Sequence, residues 1–485
     1  MSQKIYCLLA ALGLILVALF FSFRLRQTPP GLTIDEASIG YNAVLLGKDL
    51  HDESGRFLPF FPLTINGKDW KQPITMYTTV IFFKVFGASL TTLRLVSVFA
   101  GIVSLVLLVY LGAKLLGLRG GLVAGILFVT APMTLLHTHL AQENIMPIPF
   151  TLLWLTGLYL FSRNKKPWSL ILSGLSLGLG LYSYKGMRAI VPVWAVISVG
   201  YLFFSELKDI SLKSLISSVK KSLPFILTFL PFVLIIPWLN VHYAGAVFEP
   251  KNLETKSFYD FIYPYLSSFD LSALFLKGDS TPWHSTGIHG VFLLATLPLF
   301  IFGLIKSARQ NSFWIFLLIC FLSTPLLFGQ VGSVYRFSRL LVFVPFFSLF
   351  AALGFQVISQ SKASRFLLPA FLLLFTVNFV DFVHYYWFQY PSVEQSNFLA
   401  NHEDAFIQLK QLSQEKNLRP YIFVDDMIGE GEVGKFYEAA YFPNSLGRWK
   451  PGDTLPDGSI VMTRLKTQPS MTSLGNTSEF NFLSN

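Results

Sequence analysis

Long apolar segments recur along this sequence, and they constrain its fold more than any other feature. A helix that crosses a bilayer needs about 20 mostly apolar residues. Charged residues make up 13% of the chain, whereas soluble domains average about 25%. The pattern predicts an all-α polytopic membrane protein with about 11 transmembrane helices. The predicted spans are 5–23, 93–117, 121–137, 145–161, 168–184, 189–204, 223–239, 290–306, 313–329, 340–358 and 366–386.

Loop charge predicts how these spans are oriented. Lysine and arginine gather in alternate loops, which the positive-inside rule places in the cytoplasm. We interpret the first apolar run as a retained helix with a cytoplasmic N-terminus, because no small-residue cleavage site follows it. The net charge of +10 then reflects these loops and does not indicate nucleic-acid binding. The basic loops are 163–166, 208–221, 306–309 and 362–365.

Composition divides the chain into two predicted domains. Residues 1–388 form the transmembrane domain, and its first outer loop, 24–92, carries the candidate catalytic acids. Residues 389–485 are more polar. They combine a helical stretch at 404–414 with the strand-like segments YIFVDD and SIVMT, which predicts a small extracytoplasmic α/β domain. The two cysteines lie in apolar runs and form no disulfide or metal-binding pattern.

Asp35 and Glu36 stand together in the first outer loop of a chain with few charges. Carboxylates beside a membrane span are either solvated or functional, because burying them in low dielectric is costly. On the functional interpretation, one of them is a general base that takes a proton from a hydroxyl. The alternative is structural, with Asp35 as the N-cap of an amphipathic helix at 37–46.

The same loop continues with Asp69, Trp70, Lys71 and Pro73, followed by a short apolar run that predicts an interfacial or re-entrant helix at 74–86. A cation at the start of a helix suits an anionic headgroup, because the helix N-terminus adds its own positive field. An ordinary Trp/Lys anchor at the membrane edge would show the same pattern. Both interpretations remain open from the sequence.

A third acid, Glu143, lies in a short outer turn after His137 and His139. Two histidines and a carboxylate are compatible with a metal site, but this spacing is weak evidence for one. We therefore predict that Glu143 is a second acid lining the cavity and that no metal is bound.

Cations also occur on the predicted outer side, against the positive-inside trend. A phosphate would explain them, because lysine and arginine donate to phosphate oxygens and stabilise a phosphate leaving group. Snorkelling toward lipid headgroups is the alternative. The cations are Lys185 and Arg188, which accompany Tyr182 and Tyr184 in YSYKGMR, and Arg336 and Arg339 in YRFSR.

The ordered set of these segments resembles the family 39-type membrane glycosyltransferases with the C-type fold, which include protein O-mannosyltransferases and lipid A aminoarabinose transferases. The resemblance covers about the first 200 residues well. Later residues share only the span pattern and the arginine pair. The segments that carry it are IDEASIGYNA, KDWKQPITMY, FGASLTTLRLVSVFAG, HLAQEN, YSYKGMRAIVP and YRFSRLLVFVP.

The resemblance implies a role for each candidate residue. Asp35 would be the base, and Glu36 would orient it or bind the acceptor. Lys71, beside Asp69, would hold the donor phosphate. Glu143 would be a second acid, although HLAQEN lacks the arginine of other family members. The remaining cations and tyrosines of the outer side would contact donor phosphate or sugar.

The implied function is transfer of a sugar from a polyprenyl-phosphate donor to an acceptor hydroxyl on the extracytoplasmic face of the plasma membrane, with inversion. The acceptor is a protein, a lipid or a glycan. No cofactor is required, and a divalent metal is compatible but not predicted. One alternative is a multi-span lipid or glycan transporter or flippase, although the sequence lacks the matching halves common in transporters. A lipid-linked glycan polymerase or ligase is the other.

Overall fold

The protein is described here by a computed structural model. The described residues are 3–206, 212–247, 257–331, 334–423, 431–443, 445–450, 453–466 and 471–485.

Helices dominate the described chain. They are α1 Gln3–Ser22, α2 Ile34–Asp49, α3 Pro73–Phe86, α4 Leu90–Thr130, α5 Pro132–Thr138, α6 Pro147–Asn164, α7 Pro167–Gly180, α8 Met187–Glu206, α9 Leu212–Leu234, α10 Ile236–His242, α11 Phe258–Ser267, α12 Leu297–Ser307, α13 Ser312–Ser323, α14 Leu326–Val331, α15 Phe343–Ser359, α16 Ser364–His384, α17 Tyr390–Val393, α18 His402–Glu415 and α19 Glu432–Tyr441.

The strands are short and form two sheets. β1 Leu63–Thr64 and β2 Asp69–Trp70 make a small antiparallel hairpin. The other five strands form one mixed sheet in the order β4-β3-β5-β7-β6. They are β3 Arg419–Phe423, β4 Gly447–Trp449, β5 Ser459–Thr463, β6 Thr472–Asn476 and β7 Asn481–Ser484.

The apolar helices agree with a multi-pass membrane protein. Within the described residues, five are long and apolar enough to cross a bilayer, and further apolar helices are shorter. The boundary predicted between the spans 93–117 and 121–137 falls where two helical segments of α4 meet at a kink, and the second segment ends at Thr130. Gly117 interrupts α4 with φ 79°, a value that favours glycine because a Cβ would be strained there. The count of 11 spans stays a prediction.

Cα packing divides the chain into two compact units. The first, the helical unit, comprises Met1–Phe23, Ser97–His139 and Glu143–Tyr386. Its helices approach backbone to backbone. A Cβ added to Gly303 of α12 would lie only 1.7 Å from the Phe350 carbonyl oxygen of α15, so these two helices can pack only with glycine there.

The second, the mixed unit, comprises Arg24–Val96, Leu140–Gln142 and Trp387–Asn485. One apolar core joins α2 and α3 to α18, α19 and the five-stranded sheet. Gly40 of α2 lies against Phe436 of α19, and an added Cβ would lie 2.6 Å from that ring. The mixed unit thus draws on three separate stretches of chain. The sequence-based division at residue 388 stays a prediction.

The C-terminal secondary structure follows the sequence pattern. α18 contains the predicted helical stretch at 404–414, and SIVMT forms β5 with every residue buried. The segment YIFVDD contributes its first three residues to β3. Asp425 and Asp426 lie outside the described residues.

Candidate active site

The N-terminus of α2 is built by a capping box. Thr33 Oγ1 accepts a hydrogen bond from the Glu36 backbone N–H at 3.2 Å, and Glu36 Oε2 accepts one from the Thr33 N–H at 3.0 Å. The prediction that Asp35 caps a helix at 37–46 is therefore wrong, because the helix begins at Ile34 with Thr33 as its cap. Asp35 is instead a first-turn residue, where the helix dipole favours a negative charge.

Glu36 is fully buried, and both of its carboxylate oxygens are occupied. Oε1 accepts hydrogen bonds from Arg94 Nε at 3.1 Å and from the Ala141 N–H at 2.9 Å. Oε2 accepts the hydrogen bond from the Thr33 N–H in the capping box. A carboxylate in this state positions the helix that carries Asp35. Of the two roles implied for Glu36, orienting the base is the one compatible with this burial. It remains a prediction.

Arg94 also shapes the chain that leads into α2. Its Nη1 donates to the Leu25 and Pro29 carbonyl oxygens, each at 2.9 Å, and its Nη2 donates to the Gly31 carbonyl. One guanidinium therefore ties the 25–31 segment to Glu36. Sequence reasoning missed this residue. The signal was a charged side chain inside an apolar run, which is costly unless it is paired.

Asp35, Asp69 and Lys71 meet in one ion-paired group. Lys71 Nζ donates to Asp35 Oδ1 at 2.8 Å and lies 2.6 Å from Asp69 Oδ2. The lysine side chain is 6% exposed, whereas Asp35 is 57% and Asp69 42% exposed. A nearly buried cation therefore holds two carboxylates that face solvent.

The β1–β2 hairpin sets the position of Lys71. Thr64 pairs with Asp69 across the hairpin, and the Lys71 N–H donates to the Pro62 carbonyl at 3.0 Å. Gln72 is then the N-cap of α3, with Pro73 at its first position. The helix predicted at 74–86 is thus present as α3, and Lys71 directly precedes its cap. Whether α3 lies at the membrane interface stays a prediction.

In the helical unit, three predicted substrate-binding residues are engaged with the backbone. The Tyr182 hydroxyl donates to the Phe232 carbonyl at 2.6 Å. Lys185 Nζ donates to the Gly245 carbonyl at 3.1 Å, and Arg188 Nη1 donates to the Ala246 carbonyl at 2.8 Å. The bonds of Lys185 and Arg188 hold the turn that follows α10, whereas the Tyr182 bond reaches α9. The substrate-binding roles stay predictions.

The remaining predicted residues of the helical unit form a charged group around Tyr184. Arg339, Glu143 and Arg336 interact electrostatically with this tyrosine, as does Asp279. Asp279 accepts a hydrogen bond from the Ser338 N–H at 2.7 Å, which fixes the short helical turn between the two arginines. The structure thus brings together the acid and the arginine pair that the sequence placed about 190 residues apart.

The alternative of a metal at His137, His139 and Glu143 stays a hypothesis, and the contacts of His137 are with other groups. His137 Nδ1 lies 2.9 Å from the Met133 carbonyl, and its ring stacks on His284 with centroids 5.1 Å apart. Within the described residues, no group of three or more His, Cys, Asp or Glu side chains is arranged to hold a metal ion.

Comparison with solved structures identifies the fold. The chain is similar to ArnT from Cupriavidus metallidurans in the apo state, with a TM-score of 0.56 at 12% identity, covering 99% of this chain and 98% of that one. The same protein bound to undecaprenyl phosphate gives the same values. The Archaeoglobus fulgidus oligosaccharyltransferase in the apo form matches with a TM-score of 0.47 at 13% identity, over 90% of this chain and 64% of that one.

A protein-family model also matches part of the sequence. Residues 71–239 match the family described as dolichyl-phosphate-mannose-protein mannosyltransferase. No curated protein matches. The family match includes Lys71, HLAQEN and YSYKGMRAIVP, so the resemblance predicted from these motifs is confirmed. The fold of this chain is similar to that of ArnT.

Proposed function

We propose that this chain is an integral membrane glycosyltransferase. It moves a sugar from a polyprenyl-phosphate donor to an acceptor hydroxyl on the extracytoplasmic face of the plasma membrane, with inversion. The observation that carries the proposal is the exposed Asp35 carboxylate held 2.8 Å from the nearly buried Lys71, in a chain with the fold of ArnT. The solved ArnT bound to undecaprenyl phosphate supports this class of donor.

In this proposal, Lys71 contacts the donor phosphate. The phosphate replaces Asp35 beside Lys71 Nζ, because a phosphate is an anion that competes with a carboxylate for the same ammonium group. The lysine then stabilises the charge that grows on the leaving phosphate oxygen. Asp69, 2.6 Å from the same nitrogen, keeps Lys71 in position during the exchange.

Asp35 acts as the general base. As the acceptor oxygen forms its bond to the anomeric carbon, the bond from that carbon to the phosphate oxygen breaks. The acceptor proton passes to the Asp35 carboxylate, and polyprenyl phosphate leaves with the bonding electron pair. Attack from the side opposite the leaving group inverts the anomeric centre. General base catalysis contributes about 10²- to 10⁴-fold to such a step.

The test is turnover by the purified full-length protein in detergent, without an ion gradient. Short-chain polyprenyl-phosphate sugars, one hexose or pentose at a time, are incubated with a delipidated extract of envelope proteins and glycans. Release of polyprenyl phosphate and transfer of labelled sugar are measured. Chelator treatment should leave the rate unchanged, because the proposal routes no step through a metal.

Asp35→Asn should lower turnover about 10²- to 10⁴-fold while leaving the thermal melting profile close to that of the wild type. The matched control is Asp49→Asn, which removes an exposed carboxylate from the other end of the same helix. Full turnover by Asp35→Asn would remove Asp35 from the mechanism. Gradient-dependent movement of lipid without any sugar transfer would favour a transporter instead.

A further inference from the structure

A cavity lies in the helical unit where α6, α7 and α9 meet. Its volume is about 860 Å³, within the usual 300–1,000 Å³ range of ligand sites. None of its residues belongs to the candidate active site. The lining residues are Phe161, Lys165, Pro167, Ile216, Ser217, Lys220, Lys221 and Pro224.

The charged residues that line this cavity are all positive. Three of the eight lining residues are lysines, and none of the eight is acidic. Lys165 follows the C-terminus of α6, where a cation is favourable in its own right. Helix-end electrostatics does not account for Lys220 and Lys221, because they lie in the first half of α9. The remaining lining is mostly apolar, so the cavity combines a cationic group with a hydrophobic wall.

Helices α6, α7 and α9 pack closely beside the cavity, which makes its walls rigid. A Cβ on Gly174 of α7 would lie 2.2 Å from Thr228 Oγ1 of α9, and one on Gly157 of α6 would lie 2.5 Å from the Ser169 carbonyl of α7. The three helices therefore pack in contact at the glycines. The cavity begins at Pro167, about two turns before Gly174 along α7.

One wall of the cavity belongs to a helix with exposed apolar residues. Helix α9 supplies five of its eight lining residues, and the apolar window of the candidate span Ile216–His242 is only 17% buried inside the protein. The molecules that could occupy this place are those that lie beside an exposed apolar helix. An amphiphile with an anionic head satisfies both the lysines and the apolar wall.

We propose that this cavity binds an anionic glycerophospholipid of the surrounding bilayer. Its phosphate contacts Lys165, Lys220 and Lys221, and the Ser217 hydroxyl donates to a phosphate oxygen. The acyl chains continue along the exposed apolar face of α9. The bound lipid stabilises the contact of α9 with α7, because a ligand that binds only the folded state raises its stability.

The test uses the full-length protein, delipidated and returned to nanodiscs of phosphatidylcholine with increasing phosphatidylglycerol. Native mass spectrometry counts retained phosphatidylglycerol, and the melting temperature is followed in parallel. The wild type should retain one tightly held phosphatidylglycerol and melt at a higher temperature as its fraction rises. Lys165→Gln/Lys220→Gln/Lys221→Gln should lose both effects, with affinity falling about fivefold for each lysine.

The matched control, Lys306→Gln/Arg309→Gln/Lys362→Gln, removes three exposed charges outside the cavity and should behave as the wild type. Both variants should melt like the wild type in pure phosphatidylcholine, which shows that they fold. Equal loss in the control would overturn the proposal, since general surface charge would then explain binding. Displacement of the lipid by equimolar inorganic phosphate, or preferential retention of polyprenyl phosphate, would overturn it as well.

Discussion

Asp35 and Glu36 are neighbours in the first turn of one helix, yet their environments are opposite. Asp35 is 57% exposed and pairs with a lysine that also contacts Asp69. Glu36 is fully buried, and it is hydrogen-bonded to Arg94 and to two backbone N–H groups. The difference separates two roles that an acidic pair in sequence cannot separate. We expect the solvent-facing carboxylate to meet a substrate and the buried one to hold its neighbour in place.

Their cations differ in the same way. Lys71 contacts two carboxylates that both reach solvent, so a partner can be exchanged there without leaving a charge buried alone. Arg94 is fully buried and donates hydrogen bonds to one carboxylate and three backbone carbonyl groups. Removing either Glu36 or Arg94 leaves buried polar groups without a hydrogen-bond partner, and water cannot reach them to replace it. We therefore expect changes at the buried pair to affect stability first and changes at Lys71 to affect turnover first.

The largest stability effect is expected for Glu36→Ala. It leaves the Arg94 guanidinium buried without its carboxylate, which costs about 3–5 kcal/mol of unfolding free energy. The apparent melting temperature in detergent should fall by about 5 °C or more. Asp35→Asn serves as the comparison and should melt close to the wild type. Similar melting for both variants would contradict the division of roles between these two acids.

For Lys71→Met, the effect should fall mainly on transfer. The substitution keeps the length of the side chain but removes the charge proposed to meet the donor phosphate, so kcat/KM should drop about 10²- to 10³-fold. The matched control is Lys68→Met, an exposed lysine in the same hairpin. Lys71→Arg should recover part of the rate. A loss of the same size at Lys68 would indicate that Lys71 has no specific role.

A smaller effect is expected for Asp69→Asn. The ion pair is partly exposed, and such pairs contribute about 0.2–1 kcal/mol, so turnover should fall by about fivefold at most. The informative measurement is the double variant with Lys71→Met. If Asp69 acts only through Lys71, its substitution should change nothing further in that background. If the losses of turnover in the two single variants add up in the double variant, Asp69 has a contact of its own with the substrate.

The smallest effect concerns pH. Burial lowers the pKa of His402 below its ordinary value of 6.5, and its Nδ1 lies 3.0 Å from the Ala400 carbonyl. The unfolded chain therefore binds more protons as the pH falls below about 6.5, so this histidine reduces stability progressively between pH 7 and 5.

His402→Gln should narrow the difference in melting temperature between pH 7.5 and 5.5, because glutamine does not bind a proton in this range. His51→Gln, at a half-exposed histidine, is the comparison variant. A result in which the two substitutions behave alike would show that the buried environment of His402 does not control this pH dependence.

Local pattern predicted much of the fold correctly. Apolar runs identified most helices of the helical unit, because a bilayer requires segments of that length. The helix at α3 and the strand at β5 also followed from their sequences. The ends of the helices were predicted less accurately than their presence. The predicted span 313–329 is divided between α13 and α14, and α12 begins at Leu297, seven residues later than predicted.

The candidate site was predicted only in part. Asp35, Asp69 and Lys71 were found because they lie in the first outer loop of a chain with few charges, and the structure places them in contact. Arg94 was missed because nothing local marks its partner. The packing of α2 against α19 was also missed, since Gly40 and Phe436 are almost 400 residues apart in the chain.

The sequence by itself determined the apolar runs, the basic loops and the chemistry of the acidic pair of α2. Each of these depends on neighbours within a few turns or on the bilayer. Only the tertiary structure decided which of the two acids is buried. Glu36 receives its hydrogen bonds from Arg94, 58 residues later, and from the Ala141 N–H, 105 residues later. A carboxylate can leave water only where such distant donors converge on it.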